Sequence, residues 1–162
     1  MKRQITLRGP VFIGDPCTPL DSTAGILAGL IQDEILPGIW NVTVKKTNDP
    51  DWGLRVTRLT LRHESAPRRR ALEPIGSVFI DTGQCGVYDL DYFKTHHEDD
   101  DYDNPKSWYR QICDITELHN GLWGTKDDQC AVSSTGLGDG EYDCYAAFDH
   151  NGNIVAIEII YL

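Results

Sequence analysis

The chain has no close pair of cysteines. Its five cysteines, Cys17, Cys85, Cys113, Cys130 and Cys144, are odd in number, and no two are spaced C-x-x-C. Zinc ribbons and fingers need such pairs, and a disulfide framework needs an oxidising compartment. Reduced, mostly buried thiols are expected. Long apolar runs are also missing. Nothing behind the basic start Met1-Lys2-Arg3 resembles the roughly 7–15 apolar residues of a secretory signal, and no stretch approaches the roughly 20 of a membrane span. A cytoplasmic protein without a membrane partner is expected. No P-loop, G-x-G-x-x-G or G-x-S-x-G segment occurs, which removes the common phosphate cradles and the nucleophile elbow.

Positive charge is scarce in one half. Residues 1–80 hold 11 Lys/Arg against 8 Asp/Glu, whereas residues 81–162 hold 4 against 17, within a net charge of −10. Such a half repels nucleic-acid backbones and anionic membranes and attracts a basic partner or a cation. The basic run Arg68-Arg69-Arg70 is too short to reverse that expectation and reads as a solvated loop.

What is present is an ordinary globular composition, 40% hydrophobic and 25% charged over 162 residues. This suits one domain with its own core. Short strands are expected at Gln4–Leu7 and Val11–Ile13. Asp21 to Glu34, with apolar residues at Ile26, Leu27, Leu30 and Ile31, has the spacing of an amphipathic helix behind a polar cap, weakened by Gly25 and Gly29. Segments 39–46 and 54–61 alternate and form a predicted antiparallel hairpin around Asn48-Asp49-Pro50-Asp51. Strands follow at 75–80 and 85–90. The acidic stretch 91–103 is predicted to be a loop, a helix to run through Trp108, Ile112 and Thr116 until Asn120-Gly121, and Ala131-Val132 to begin a strand.

The last 22 residues specify a hairpin. Asn151-Gly152 is the preferred type I′ turn pair. A two-residue turn there sets Phe148 opposite Val155, Ala146 opposite Ile157, Cys144 opposite Ile159 and Tyr142 opposite Tyr161, eight apolar or aromatic residues on one face. The expected fold is a β-rich α+β domain over residues 1–162: a mostly antiparallel twisted sheet or sandwich of about seven to nine strands with one or two helices.

Three carboxylates, Asp15, Asp81 and Asp139, sit where apolar strands meet turns rich in Gly or containing Pro. Convergence of these turns would make a ligand site with Gln84 and Tyr142 beside it. The three carboxylates could hold a divalent cation through oxygen ligands or divide acid and base roles. Asp in such turns also bonds neighbouring backbone N–H groups without any ligand. The partial calcium pattern Asp149-x-Asn151-x-Asn153 lacks the glycine and the distal carboxylate of a true loop and belongs to the hairpin. His96-His97 beside Glu98-Asp99-Asp100-Asp101 could bind a transition metal weakly. Val78-Phe79-Ile80-Asp81-Thr82-Gly83 resembles the catalytic tripeptide of aspartic proteases. It occurs once, so a dyad would need two copies of the chain.

Gly14-Asp15-Pro16-Cys17, Asp81-Thr82-Gly83-Gln84, Gly136-x-Gly138-Asp139-Gly140-x-Tyr142 and Asp149-x-x-Gly152-x-Ile154-Val155 together resemble a family of small uncharacterised bacterial and phage proteins, a domain of unknown function. The resemblance implies a β fold with a shared pocket at these turns and no particular activity. Two functional expectations follow. One is a non-enzymatic binding or inhibitory protein, of the immunity or anti-defence kind, engaging a basic protein. The other is a small-ligand or metal-binding domain, or a hydrolase, built on Asp15, Asp81, Gln84 and Asp139. No cofactor is implied beyond a divalent cation.

Overall fold

Alternating and continuous apolar segments pair here into two antiparallel sheets. The computed structural model describes residues 3–21 and 27–162. In chain order the strands are β1 (Arg3–Leu7), β2 (Val11–Gly14), β3 (Leu30–Gln32), β4 (Gly38–Asp49), β5 (Gly53–His63), β6 (Glu73–Ile80) and β7 (Gln84–Asp89). Helices α1 (Leu90–His96) and α2 (Trp108–Thr116) follow, then β8 (Trp123–Lys126), β9 (Cys130–Ser134), β10 (Gly140–Phe148) and β11 (Ile154–Ile160). One sheet runs β1-β4-β5-β11-β10-β6 and the other β3-β2-β7-β9-β8. The expected β-rich α+β sandwich is the observed class.

The sheets face each other across the main core, which includes Trp40, Val42, Leu59, Leu61, Cys144 and Ile157 from one and Val11, Ile13, Val87 and Ala131 from the other. A second core lies behind the five-stranded sheet. There Phe12, Tyr88 and Val132 pack on Tyr92 and Phe93 of α1 and Trp108 and Ile112 of α2. The five-stranded sheet is therefore apolar on both sides, and β2 is buried throughout. At one edge the sheets join through Thr6, which donates its N–H to Asp128 (3.0 Å), and through Arg3, whose guanidinium lies 4.5 Å from the centre of the Trp123 ring. At the other edge Phe79 donates its N–H to the Ala28 carbonyl (2.8 Å).

Several expectations are corrected, the first being the strand number: eleven strands among the described residues, against the seven to nine expected. The helix predicted from Asp21 to Glu34 is not present over residues 27–34, where β3 pairs with β2; residues 22–26 lie outside the described residues. Gly29 explains the outcome. A side chain on Gly29 would stand 2.4 Å from the Phe12 ring and 2.6 Å from the Ile13 carbonyl, so Gly29 permits the close backbone approach that makes β3 a strand. The loop predicted over 91–103 begins as helix α1, capped by the Asp89 carboxylate, which accepts from the Tyr92 N–H (3.4 Å). Burial of Tyr92 and Phe93 outweighs the polar composition around them. His96 and His97 are therefore in or at the end of this helix, and each Nδ1 lies within hydrogen-bond distance of a backbone carbonyl, Tyr92 and Phe93 respectively.

The final hairpin holds its central register, Cys144 opposite Ile159 and Ala146 opposite Ile157. Its tip differs. Asp149 Oδ1 accepts the N–H groups of both Asn151 and Asn153 at 2.9 Å, Gly152 donates to the Asp149 carbonyl, and Asp149 donates to Asn153. Gly152 has φ +81°, whereas Asn151 does not have positive φ, so the turn is a type I turn with a glycine bulge. A further bulge at Ala147/Phe148 sets Phe148 against Ile154 rather than Val155. Val155 packs with Ala147 and Ala156 in a separate cluster. The type I′ geometry occurs at a turn without glycine: Asp127 (φ +52°) and Asp128 (φ +57°) link β8, which the sequence reading did not foresee, to β9. Asp127 is held there by the Tyr92 hydroxyl (2.7 Å) and the Lys126 ammonium (3.1 Å).

Two outcomes are expected. Gly29→Ala should destabilise by roughly 1–3 kcal/mol through overpacking, whereas Gly9→Ala, with open space around it, should stay within about 0.5 kcal/mol in urea unfolding. The Tyr92 hydroxyl, followed by Lys126, holds the Asp127 carboxyl below its usual range. That contribution should be complete above an unfolded Asp value of about 3.9 and be lost as pH falls through the lower folded value. Asp127→Asn should flatten this acid limb in pH-dependent unfolding.

Candidate functional site

Two turns that carry the chain between sheets meet at one corner. Residues 81–83 lead from β6 of the six-stranded sheet to β7 of the five-stranded sheet, and residues 135–139 lead from β9 back to β10. Thr135 donates its N–H to the Gly83 carbonyl (3.0 Å). Gly83 takes φ +69° and Gly138 φ +95°, conformations that suit glycine and allow these tight turns. The Gly138 carbonyl accepts from both the Thr135 hydroxyl (2.5 Å) and the Tyr142 hydroxyl (2.6 Å).

Asp15, just after β2, ties its own turn to this corner. It is 3% exposed. Its Oδ1 accepts from the Cys17 N–H (2.8 Å), and its Oδ2 accepts from the N–H groups of Asp81 (2.9 Å) and Thr82 (2.8 Å). Two of the turns named by the sequence meet on the Asp15 carboxylate, and the third, carrying Asp139, joins them through the Thr135–Gly83 hydrogen bond. Asp81 and Asp139 have exposed side chains, and Asp139 Oδ1 lies against Gly83. Among the described residues no group of three or more His, Cys, Asp or Glu side chains is arranged to hold a metal ion. Asp15 Oδ2 accepts two N–H donors and Oδ1 one, so most of its acceptor capacity is used within the protein.

Beside this corner lies a recess of about 470 Å³. Asp15, Cys17, Thr18, Asp81 and Glu141 supply its polar lining, and Pro19, Ala28, Phe79 and Ile80 its apolar walls. Glu141 stands directly opposite Phe79 in the β6–β10 register, and its Oε1 accepts from the Ser77 hydroxyl (2.6 Å). Phe79 is 51% exposed. Sequence reasoning missed Cys17, Phe79 and Glu141 as site residues; the apolar run Val78-Phe79-Ile80 leading into Asp81 was the one signal pointing to this place.

Asp139, Gln84 and Tyr142, grouped with the site by sequence, do not line the recess. Gln84 is buried beneath α2, where its amide N–H donates to Thr116 Oγ1 (2.9 Å) and Cys113 Sγ (3.4 Å). Tyr142 packs edge-on against Tyr161 with ring centres 5.2 Å apart. Gln84 Oε1 and Thr82 Oγ1 are sealed from solvent with no hydrogen-bond partner among the described residues.

Burial, then the charges of Asp15 and Asp100, pushes the Cys17 thiol up to about 12. Asp100 belongs to the exposed run Glu98–Asp101. The loop carrying it is anchored to the recess side through Trp108, whose backbone N–H donates to Asp99 Oδ2 (3.2 Å) and whose indole N–H donates to the Pro16 carbonyl (2.8 Å). Trp108 thus ties the acidic loop to Pro16, the neighbour of the lining residue Cys17.

No family model matches the chain, and no curated protein or solved structure does so either.

The two sides of the corner should respond oppositely to mutation. Asp15→Asn removes charge-assisted acceptors from three buried donors and should cost about 3 kcal/mol. Thr82→Val deletes an unpartnered hydroxyl and should be neutral or slightly stabilising in the same denaturant titration.

Proposed function

We propose that this is a non-enzymatic binding protein that engages a basic protein partner through the acidic surface around the corner recess. One observation carries the reading: among the described residues the recess lining includes the carboxylates Asp15, Asp81 and Glu141 and no Lys or Arg, and Trp108 ties the exposed acidic loop to Pro16, next to the lining residue Cys17. The basic run Arg68-Arg69-Arg70 lies beyond the opposite end of β6 and does not neutralise this surface. Charges of one sign around a concave site speed association with a partner of the other sign and fix its orientation.

The chemistry of the lining supports binding over hydrolysis. Both oxygens of Asp15 accept backbone N–H groups, which makes this carboxylate a structural tie between the turns. The Cys17 thiol, pushed up to about 12, stays protonated at neutral pH and is a poor nucleophile. A reducing compartment such as the cytoplasm fits the five free thiols.

The test is affinity capture from the native host with the wild-type chain and with a variant carrying Asp100→Asn and Asp101→Asn. A basic protein should be retained by the wild type, lost steeply between about 50 and 200 mM salt, and retained more weakly by the variant. Capture insensitive to both salt and charge, or capture of acidic proteins only, would overturn the reading.

A further inference from the structure

We infer that the corner recess seats one arginine side chain of the basic partner; this deepens the reading above and rests on it. The recess combines two features that rarely suit the same ligand. Pro19, Ala28, Ile80 and the exposed ring of Phe79 form apolar walls, while Asp81 and Glu141 provide carboxylates from two different segments. A purely apolar side chain would leave those carboxylates desolvated without a partner. A small anion would meet only negative charge. An arginine satisfies both parts, because its methylene stem buries against apolar surface while its head stays polar.

The geometry favours guanidinium over ammonium. Glu141 and Phe79 are direct cross-strand partners, so the ring face and the carboxylate stand side by side on the same outer surface of β6 and β10. A planar guanidinium can stack on the ring and donate to the adjacent carboxylate at once. The Ser77 hydroxyl already donates to one oxygen of Glu141 (2.6 Å), which orients the carboxylate. Asp81 supplies a second acceptor from the turn, and guanidinium has donors on several edges for two such groups, whereas an ammonium presents a single point charge. Asp15, buried at the corner, adds negative potential while its own hydrogen bonds hold the Asp81-Thr82 turn in place.

The direct test uses N-acetyl-arginine methylamide as probe, with the lysine and norleucine analogues as comparisons, followed by amide chemical shifts of the labelled protein. The arginine probe should saturate with a Kd near or below about 1 mM and shift the amides of residues 79–82 and 141. Binding should weaken roughly tenfold in Glu141→Gln and in Asp81→Asn, and the norleucine analogue should bind at least about tenfold more weakly than the arginine probe. Both substitutions are at exposed side chains, and an unchanged unfolding curve separates lost binding from lost fold. Equal binding of norleucine and arginine, shifts confined to other residues, or no binding would overturn the arginine seat. If the probe fails while the captured basic partner still depends on salt and on Asp100 and Asp101, the seat is wrong and the basic-partner reading stands. If neither binds, both fall.

Discussion

The corner where the two sheets exchange strands depends on one buried carboxylate. Asp15 receives the N–H groups of Cys17, Asp81 and Thr82, donors separated by more than 60 residues of chain. A charge removed from water is tolerated only when such bonds replace its hydration. Here they also decide where β6 leaves its sheet and β7 begins in the other. Gly83 then meets Thr135, the glycine-rich turn closes on Gly138, and Tyr142 follows on the core side. The recess walls come from these same segments, so its shape follows from the placement of Asp15.

The two sheets solve different burial problems. The six-stranded sheet packs one face on the main core, and strands such as β5 alternate accordingly. The five-stranded sheet lies between the main core and the helices, so its inner strands β2, β7 and β9 carry almost continuous burial. A polar residue in that layer needs a partner from above. Gln84 finds one in α2, through Thr116 and Cys113. This turns a residue that resembled a ligand group into a tie between helix and sheet.

The misread elements show the limit of local pattern. Residues 27–34 carry helical spacing, yet Gly29 fits against Phe12 and the segment extends as β3. The acidic composition of 91–103 hid the two buried aromatics of α1. At the last hairpin the Asn151-Gly152 pair marked the turn correctly, but the Asp149 side chain competed for the backbone donors and lengthened it. The site was half legible. Asp15 and Asp81 announced themselves as turn carboxylates, while Glu141 and Phe79 read as ordinary strand residues because only cross-strand pairing sets them together.

The amino-acid sequence by itself determined the β-rich α+β class, the central register of the final hairpin, the charge imbalance between the halves and the turns that matter, since each is written in residues close along the chain. Tertiary structure alone decided which carboxylate is buried, which is free and what stands beside it. Those properties depend on backbone donors and walls from segments near residues 15–19, 28, 79–82 and 140–141, and no local signal links segments that far apart until the sheets have packed.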